Sequence, residues 1–244
     1  FAILAATPAP GDRPPAWRFC ISGGAPLPPA VLAAFEARHG VPIYEGYGPT
    51  ECSPVLTVNP PGGLRKIGSV GPAIPGVEIR IVDDAGRELP RGEIGEIVAR
   101  GPNVMRGYLN RPEETVAVLR DGWYHTGDLG RMDGDGYVYI VDRKTDLILV
   151  GGLNVYPREV ELVLESHPSV AEAAVIGAPD AVRGEAVTAL VIPRNGQAVS
   201  AGELLQWCRH RLANYKVPRT IRTVEALPRT VTGKVLKSAL RERA

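Results

Sequence analysis

A lysine near the end of the chain lies in a segment that could bring a positive charge to a ligand. The segment reads Leu227-Pro228-Arg229-Thr230-Val231-Thr232-Gly233-Lys234-Val235-Leu236-Lys237. A Thr-Gly-Lys turn lets backbone approach a ligand closely and keeps a flexible ammonium beside it, which suits a carboxylate or a phosphate. A Walker A loop is excluded, because that motif needs a glycine five positions before Gly233 and Pro228 stands there. A solvated basic turn is the alternative for Lys234.

The composition is that of a soluble globular protein. The chain has 244 residues, 44% of them hydrophobic, and a formal net charge of +1, which fits one large or two modest domains. Its three cysteines, Cys20, Cys52 and Cys208, indicate neither a disulfide framework nor a zinc site, and they favour a reducing cytoplasm. No apolar run reaches bilayer-spanning length, which leaves peripheral membrane contact open. The chain does not start with Met, and we expect it to be the C-terminal part of a longer protein.

Positive charge is concentrated in the last part of the chain. From Gln206 onward Glu225 and Glu242 stand against ten basic residues, which are Arg209, Arg211, Lys216, Arg219, Arg222, Arg229, Lys234, Lys237, Arg241 and Arg243. Such a patch could face nucleic acid, but only Trp207 and Tyr215 are available for base stacking and no nucleic-acid motif is present. We therefore predict no nucleic-acid partner. A solvated helix face and a site for small phosphorylated ligands stay as the two interpretations.

The first part of the chain predicts an α/β unit. Strands are expected at Trp17 to Ile21 and at Ile43 to Tyr47, with a helix between them that starts at Pro28 or Pro29 and stops at Gly40. Ligands of open α/β sheets usually bind at the glycine-rich loops that follow such strands. We assign residues 1–60 to this part of a larger N-terminal domain.

Residues 61–142 have a different pattern. Short strands are expected at Val77 to Val82, Ile94 to Arg100 and Tyr137 to Val141, separated by Gly, Pro and Asp-Gly turns. This pattern predicts a small antiparallel β subdomain or barrel.

Residues 143–244 predict a compact α+β domain. Helices are expected from Pro157, from a capping box at Ser200 and Glu203 to Leu212, and from Val235 to Arg243. Strands are expected between them, at Val170 to Ile176, Ala186 to Ile192 and Thr220 to Val224. The fold class is thus α/β followed by α+β.

Further segments become specific when they are taken together with the Lys234 loop. They are Ser22-Gly23-Gly24-Ala25-Pro26-Leu27, Gly46-Tyr47-Gly48-Pro49-Thr50-Glu51, Trp123-Tyr124-His125-Thr126-Gly127-Asp128, and Asp142-Arg143-Lys144-Thr145-Asp146 with Gly151-Gly152-Leu153-Asn154-Val155-Tyr156-Pro157. In this order the chain resembles the adenylate-forming superfamily of acyl-CoA synthetases, luciferases and nonribosomal peptide synthetase adenylation domains. Two other segments make it most similar to the C-terminal half of a bacterial fatty acyl-CoA ligase, namely Gly92-Glu93-Ile94-Gly95-Glu96-Ile97 and Gly101-Pro102-Asn103-Val104-Met105-Arg106-Gly107-Tyr108.

The resemblance implies roles for the residues that follow the first two strands. Gly24 and Ala25 would let backbone approach the purine or the acyl chain, unless they are only a tight turn. Tyr47 would stack on adenine, and Thr50 would offer its hydroxyl to the α-phosphate. Glu51 would supply the oxygen ligand that Mg²⁺ prefers, with a solvated loop acid as the alternative.

The resemblance also assigns residues for the ribose and the phosphates. Asp128 would accept hydrogen bonds from the ribose hydroxyls, unless it is simply a residue after a Thr-Gly turn. Arg143 would add a multi-donor group near the sugar and the phosphates, unless it forms a surface ion pair with Asp142 or Asp146. Lys234 would bridge the substrate carboxylate and the α-phosphate in the transition state.

The second step of the reaction and the hinge are assigned in the same way. The resemblance implies that the thiol of CoA passes Gly151 and Gly152, whose alternative is a plain turn between a strand and a helix. A hinge is expected near residues 143–146, where Thr145 stands in place of the family's usual Asp or Lys. The family's Ser/Thr/Gly-rich loop for the β- and γ-phosphates is missing from the sequence, and we expect the chain by itself to be inactive.

The sequence therefore predicts an ATP- and Mg²⁺-dependent acid:CoA ligase that acts through an acyl-AMP intermediate and uses CoA as its second substrate. A medium- or long-chain fatty acid is the expected acid. An aryl or small-acid CoA ligase is the alternative of the same class. A non-catalytic fragment that binds nucleotide or CoA is the alternative of a different class.

Overall fold

The structure is a computed structural model that describes residues 1–6, 17–194, 199–230 and 233–242. The chain divides into two compact units, Phe1–Ile140 and Val141–Ala244. The division falls inside a strand, Val138–Arg143, a few residues before the expected hinge. Among the described residues, no helix has the length and apolar character needed to cross a membrane.

The first unit begins with the expected α/β arrangement. Its elements are α1 Ala2–Ala6, β1 Cys20–Ser22, α2 Pro29–His39, β2 Ile43–Tyr47 and β3 Thr57–Val58. Strands β1 and β2 are parallel, and β3 pairs with β2 in the antiparallel direction. Helix α2 starts at a proline, as predicted, and ends at Gly40, which adopts φ 63°.

The first expected strand was placed too early. It covers Cys20–Ser22 rather than Trp17 to Ile21. The Trp17 ring instead stacks on Phe35 of α2 at 6.4 Å between centroids. The aromatic character that suggested a strand therefore serves packing against a helix.

The second part of this unit is a five-stranded sheet, which confirms the expected β subdomain. Its elements are β4 Glu78–Val82, β5 Gly95–Arg100, α3 Pro112–Val118, β6 Leu119–Arg120, β7 Trp123–Met132 and β8 Val138–Arg143. The strand order is β4-β5-β7-β6, and β8 pairs with β7. Ile81, Ile97 and Val138 form its buried core.

Strand β7 contains the segment that the sequence placed in a turn, and that interpretation was wrong. Gly127 and Asp128 lie within a ten-residue strand. The three residues from Thr126 to Asp128 stand opposite Ile97 alone, because β5 pairs Val98 with His125 and Glu96 with Leu129. Gly127 has φ +70°, and its N–H donates to Glu96 Oε1 at 3.2 Å. The glycine serves a β-bulge, which redirects the side chain that follows it.

The second unit is the expected α+β domain. Its elements are β9 Ile148–Val150, β10 Leu153–Val155, α4 Pro157–Glu165, β11 Val170–Asp180, β12 Gly184–Pro193, α5 Ala201–Arg209, β13 Thr220–Thr223 and α6 Lys237–Arg241. The sheet order is β10-β9-β12-β11, with β13 parallel to β12. Val160 and Leu164 of α4 and Leu204 of α5 are buried in the core of this sheet.

The boundaries of the last helices differ from the expected ones. Half of the capping box forms, since Ser200 Oγ accepts the Glu203 N–H at 3.1 Å. The Glu203 carboxylate lies 3.3 Å from His167 Nε2 instead of bonding back to the helix end. Helix α5 ends at Arg209, before Leu212, and α6 covers Lys237–Arg241. Arg243 lies outside the described residues.

Gly71 lies at a close contact between backbone segments of the first unit. It has φ +85°, and a Cβ there would overlap the backbone of Val58 and Asn59. Gly76 has φ +82° with nothing within 4 Å of its Cβ position, so it carries the same backbone strain without the overlap. Gly71→Ala should lower the free energy of unfolding by about 1–3 kcal/mol more than Gly76→Ala, measured by urea denaturation. Equal losses would contradict this packing.

Candidate active site

The end of β2 and the loop that follows it carry three of the predicted site residues. Tyr47 is the last residue of β2, and Thr50–Cys52 form a 3-10 helix shortly after it. The chain turns back tightly here, because the Leu56 N–H donates to Tyr47 O at 2.8 Å and a Cβ on Gly48 would lie 2.8 Å from Leu56 N. Thr50 is exposed and Glu51 is half-buried. The turn therefore presents both side chains just beyond the strand.

A hydrogen bond links Tyr47 to the predicted ribose ligand. The Tyr47 hydroxyl donates to Asp128 Oδ2 at 2.6 Å, and Asp128 is 8% exposed. Thr126 Oγ1 donates to Ile97 O at 2.8 Å and accepts the Asp128 N–H at 3.0 Å, which fixes the bulge. Burial, and then the charge of Asp128, raise the pKa of Tyr47 well above its usual range. Two residues that lie 81 positions apart in the sequence are thus joined in one site.

Glu51, the predicted metal ligand, receives a hydrogen bond that the sequence did not suggest. The Tyr108 hydroxyl donates to Glu51 Oε1 at 2.7 Å. The hydrogen bond to Glu51, followed by burial, raises the pKa of Tyr108. The sequence singled out the segment that ends at Tyr108 only as a point of resemblance. A tyrosine two residues after the exposed Arg106 gives no sign in the sequence of its partner.

The donor set around Glu51 suits magnesium. The described residues contain no group of three or more His, Cys, Asp or Glu side chains that could hold a metal ion. Mg²⁺ is commonly held by one or two carboxylates together with substrate phosphates rather than by a cage of protein ligands. A single half-buried carboxylate fits that mode of binding.

The Gly24 and Ala25 loop follows the neighbouring parallel strand. Gly24 has φ +82°, with nothing within 4 Å of its Cβ position, and both residues are exposed. Because β1 and β2 are parallel, this loop and the Thr50 loop leave the carboxyl ends of adjacent strands. That edge is the usual ligand-binding edge of an α/β sheet.

The predicted hinge segment is a 3-10 helix, Lys144–Asp146, directly after β8. Asp142 accepts the backbone N–H groups of Arg143 and Arg158, each at 2.8 Å, and burial raises the pKa of its carboxyl. Arg241 donates to Asp146 Oδ1 at 2.6 Å and to Thr145 O at 3.2 Å. Asp146 therefore has a basic partner, Arg241, that the sequence did not suggest, and the ion pair of Arg143 stays an open alternative to its nucleotide role.

Gly151 and Gly152 form the turn of a hairpin. Val150 of β9 pairs with Leu153 of β10, so the two glycines are the whole connection, with φ +57° and +82°. Positive φ at both central residues is typical of a type I′ hairpin turn. The expected alternative, a turn between a strand and a helix, was wrong, because β10 intervenes before α4.

Lys234 lies on a tight turn, as its sequence suggested. The Gly233 N–H donates to Thr230 O at 2.9 Å and the Thr230 N–H donates to Lys234 O at 2.8 Å. Gly233 has φ +85°, and the Lys234 side chain is exposed. Thr232 lies outside the described residues.

Many of the described basic residues at the end of the chain are neutralised within the second unit. At least five of them form ion pairs there, which are Lys216–Glu159, Arg219–Asp180, Arg229–Glu172, Lys237–Glu161 and Arg241–Asp146. The basic residues from Gln206 onward therefore carry less uncompensated positive charge than the sequence indicated.

Two family models match the chain. One, described as AMP-binding enzyme, matches residues 1–109, and the other, described as AMP-binding enzyme C-terminal domain, matches residues 159–234. The chain belongs to the adenylate-forming superfamily of AMP-binding enzymes.

Known proteins of this superfamily resemble the chain over most of its length. A feruloyl-CoA synthase of Amycolatopsis sp is 47% identical over 93% of this chain and 46% of its own length. A long-chain-fatty-acid–CoA ligase of Bacillus subtilis (strain 168) is 47% identical over 91% of this chain and 40% of its own length. The crystal structure of ATP-bound MatB from Rhodopseudomonas palustris matches with a TM-score of 0.89 and 45% identity, covering 93% of this chain and 45% of that one. The chain thus spans somewhat less than half the length of these proteins.

The half-buried Tyr47 phenol should make stability depend on alkaline pH. Its pKa is raised in the folded state, so above a pH of about 10 the unfolded chain releases the proton while the folded chain keeps it. The free energy of unfolding then falls as pH rises, by up to about 1.4 kcal/mol per pH unit for one such group. Tyr47→Phe should remove the contribution of this group to the slope of unfolding free energy against pH. The slope is measured by urea denaturation of both proteins between pH 9 and about 11.5.

At neutral pH the same variant should be less stable than the parent, because the buried Asp128 carboxylate loses a donor. Two stability curves that stay parallel above pH 10 would contradict the burial of the Tyr47 proton.

Proposed function

We propose that the protein containing this chain is an acid:CoA ligase that activates a carboxylic acid with ATP and passes the acyl group to CoA. The observation that carries the proposal is the joining of Tyr47 and Asp128 by a 2.6 Å hydrogen bond, beside the loop that bears Thr50 and Glu51. Residues that resemble the superfamily's nucleotide ligands come from distant parts of the sequence and meet at one edge of the first unit. Simple surface turns would have no reason to meet there.

The nucleotide would bind at this edge. The ring of Tyr47 would stack on the adenine, while its hydroxyl would hold the Asp128 carboxylate in place for the ribose hydroxyls. The backbone at Gly24 has room for close approach, and Ala25 beside it is exposed. Thr50 is exposed and can donate its hydroxyl to the α-phosphate.

Glu51 would hold Mg²⁺, together with phosphate oxygens. The bound ion supplies positive charge that offsets the charge developing on the phosphates. The chain's own contribution is a carboxylate whose Oε1 is already oriented by a hydrogen bond from Tyr108.

In the proposed first step, a carboxylate oxygen of the acid attacks the α-phosphorus of ATP, and pyrophosphate leaves with the electrons of the broken P–O bond. Lys234 would offset the negative charge that the two reactants bring together. Arg143 is assigned to the sugar and phosphates of the same nucleotide.

In the proposed second step, the CoA thiolate attacks the acyl carbon and AMP leaves, which gives the thioester. The Gly151-Gly152 turn would let the pantetheine chain pass, because a Cβ at either glycine meets nothing within 4 Å. Thr145 remains the proposed hinge residue. The proposed domains remain residues 1–60, 61–142 and 143–244.

The acid is proposed to be a medium- or long-chain fatty acid, with an aryl or small acid as the alternative. A feruloyl-CoA synthase and a long-chain-fatty-acid–CoA ligase are equally similar to the chain, at 47% identity each, so overall similarity favours neither. Rates of AMP release with matched panels of fatty and aryl acids separate the two. The cytoplasm stays the proposed location, which suits three free cysteines.

The proposal is tested by pyrophosphate release from the full-length protein with ATP, Mg²⁺ and a panel of acids. Release that requires both the acid and Mg²⁺ is the expected result. Binding of AMP and CoA in a calorimeter without any acid-dependent release would instead support a non-catalytic binding protein.

Lys234→Ala should separate the two steps. We expect acyl-AMP formation to fall by roughly 10²- to 10³-fold, because one positioned charge is lost from the transition state, while thioester formation from supplied acyl-AMP is retained. Arg209→Ala is the matched control, since Arg209 is an exposed basic residue of the same unit. Single-turnover measurements of each step on both variants provide the readout.

If CoA passes the Gly151-Gly152 turn, Gly152→Leu should slow the acylation of CoA and leave acyl-AMP formation unchanged. Gly152→Ala is its control, because alanine carries the same backbone strain at φ +82° without the bulk. Equal slowing of both steps by Lys234→Ala would contradict the assigned role.

A further inference from the structure

The segment from Gly101 to Tyr108 braces the loop that bears Glu51. Asn103 Nδ2 donates to Cys52 O at 2.9 Å and to Val55 O at 2.7 Å. Ser53 Oγ donates to Asn103 O at 2.9 Å. These bonds hold the loop on both sides of its turn, where Ser53 adopts φ +57°.

The same segment reaches Glu51 itself at two points. The Met105 N–H donates to Glu51 O at 2.7 Å, which fixes the backbone. The Tyr108 hydroxyl donates to Glu51 Oε1 at 2.7 Å, which fixes the side chain. Backbone and carboxylate of one residue are therefore held by two parts of one segment.

Tyr108 is itself anchored by the start of α3. Its N–H donates to Thr115 Oγ1 at 2.9 Å, and Thr115 Oγ1 donates to Arg111 O at 2.8 Å. Gly107 permits the close approach, because a Cβ there would lie 2.7 Å from Thr115 Cγ2 and its φ is +152°. The backbone at Tyr108 is therefore held in place, and its phenol lies within hydrogen-bond distance of Glu51.

We propose that Tyr108 is a positioning residue that orients the Glu51 carboxylate toward the magnesium ion of bound MgATP. The inference rests on the proposed function. It assigns a task to the Gly101–Tyr108 segment, which contains none of the residues assigned to ATP, CoA or the acid.

The physical basis is the rotational freedom of a glutamate side chain. Without a partner, the Glu51 carboxylate samples several rotamers and must be ordered when the ion binds. A hydrogen bond to one carboxylate oxygen fixes the group in advance and leaves the other oxygen for the ion. Loss of such a partner behind a metal ligand typically lowers metal affinity about 10- to 100-fold.

The test compares the affinity of the full-length protein for a non-hydrolysable ATP analogue with and without Mg²⁺, measured by calorimetry. In Tyr108→Phe the gain in affinity that Mg²⁺ produces should fall by about tenfold, while affinity without Mg²⁺ is unchanged. Thermal denaturation of the same samples checks that the variant is folded.

Tyr139→Phe is the matched control. The Tyr139 hydroxyl also donates to a carboxylate, Asp133 Oδ2, at 3.3 Å, but that carboxylate belongs to an ion pair with Lys66 and has no assigned role in binding. The control loses the same atom from the same unit. Its Mg²⁺-dependent gain should equal that of the parent protein.

The Glu51→Gln background decides whether Tyr108 acts through Glu51. Adding Tyr108→Phe to Glu51→Gln should produce no further loss of the Mg²⁺-dependent gain. An additive loss in the double variant, or an unchanged gain in Tyr108→Phe alone, overturns the inference and leaves the proposed function intact. A parent protein whose analogue affinity does not respond to Mg²⁺ would instead reject the metal role of Glu51, and the inference with it.

Discussion

The hydrogen bond from Tyr47 to Asp128 is the interaction on which the candidate site depends. It connects the end of a parallel strand, β2, with a bulge in β7 of the antiparallel sheet, and Asp128 is only 8% exposed. A buried carboxylate that lost its donor would be costly, so the two strands are held in one relative position. Thr50 and Glu51 follow Tyr47 closely in sequence, and their place relative to Asp128 is fixed by the same bond.

Glycines and a second phenol complete this arrangement. Gly127 allows the bulge and Gly48 allows the tight return of the chain after Tyr47. Tyr108, which lies 57 positions away in the sequence, donates its hydroxyl proton to Glu51. The site is therefore built from short polar contacts among a strand end, a bulge and loops, while the strands supply the buried core. In the second unit, ion pairs such as Lys237–Glu161 use much of the basic charge for the fold.

The sequence was most informative where local chemistry determines structure. Strand β2 was predicted with its observed bounds, and α2 was predicted to start at a proline and to stop at Gly40, because both signals are contained in a few neighbouring residues. Gly127 was misinterpreted, because a glycine in a bulge and a glycine in a turn look alike until the partner strand is known. The role of Tyr108 could not be predicted, since its partner lies 57 positions away and pairs with it only in the folded chain.

The most direct test of this account is a double-mutant cycle between Tyr47 and Asp128. The affinity of the full-length protein for AMP is measured by calorimetry. The variants are Tyr47→Phe, Asp128→Asn and the pair together. If the bond organises the nucleotide site, the single losses should not add, and the cycle should give a coupling energy of about 1 kcal/mol or more. Additive losses, with a coupling energy within about 0.3 kcal/mol of zero, would contradict the claim that this bond positions the nucleotide ligands.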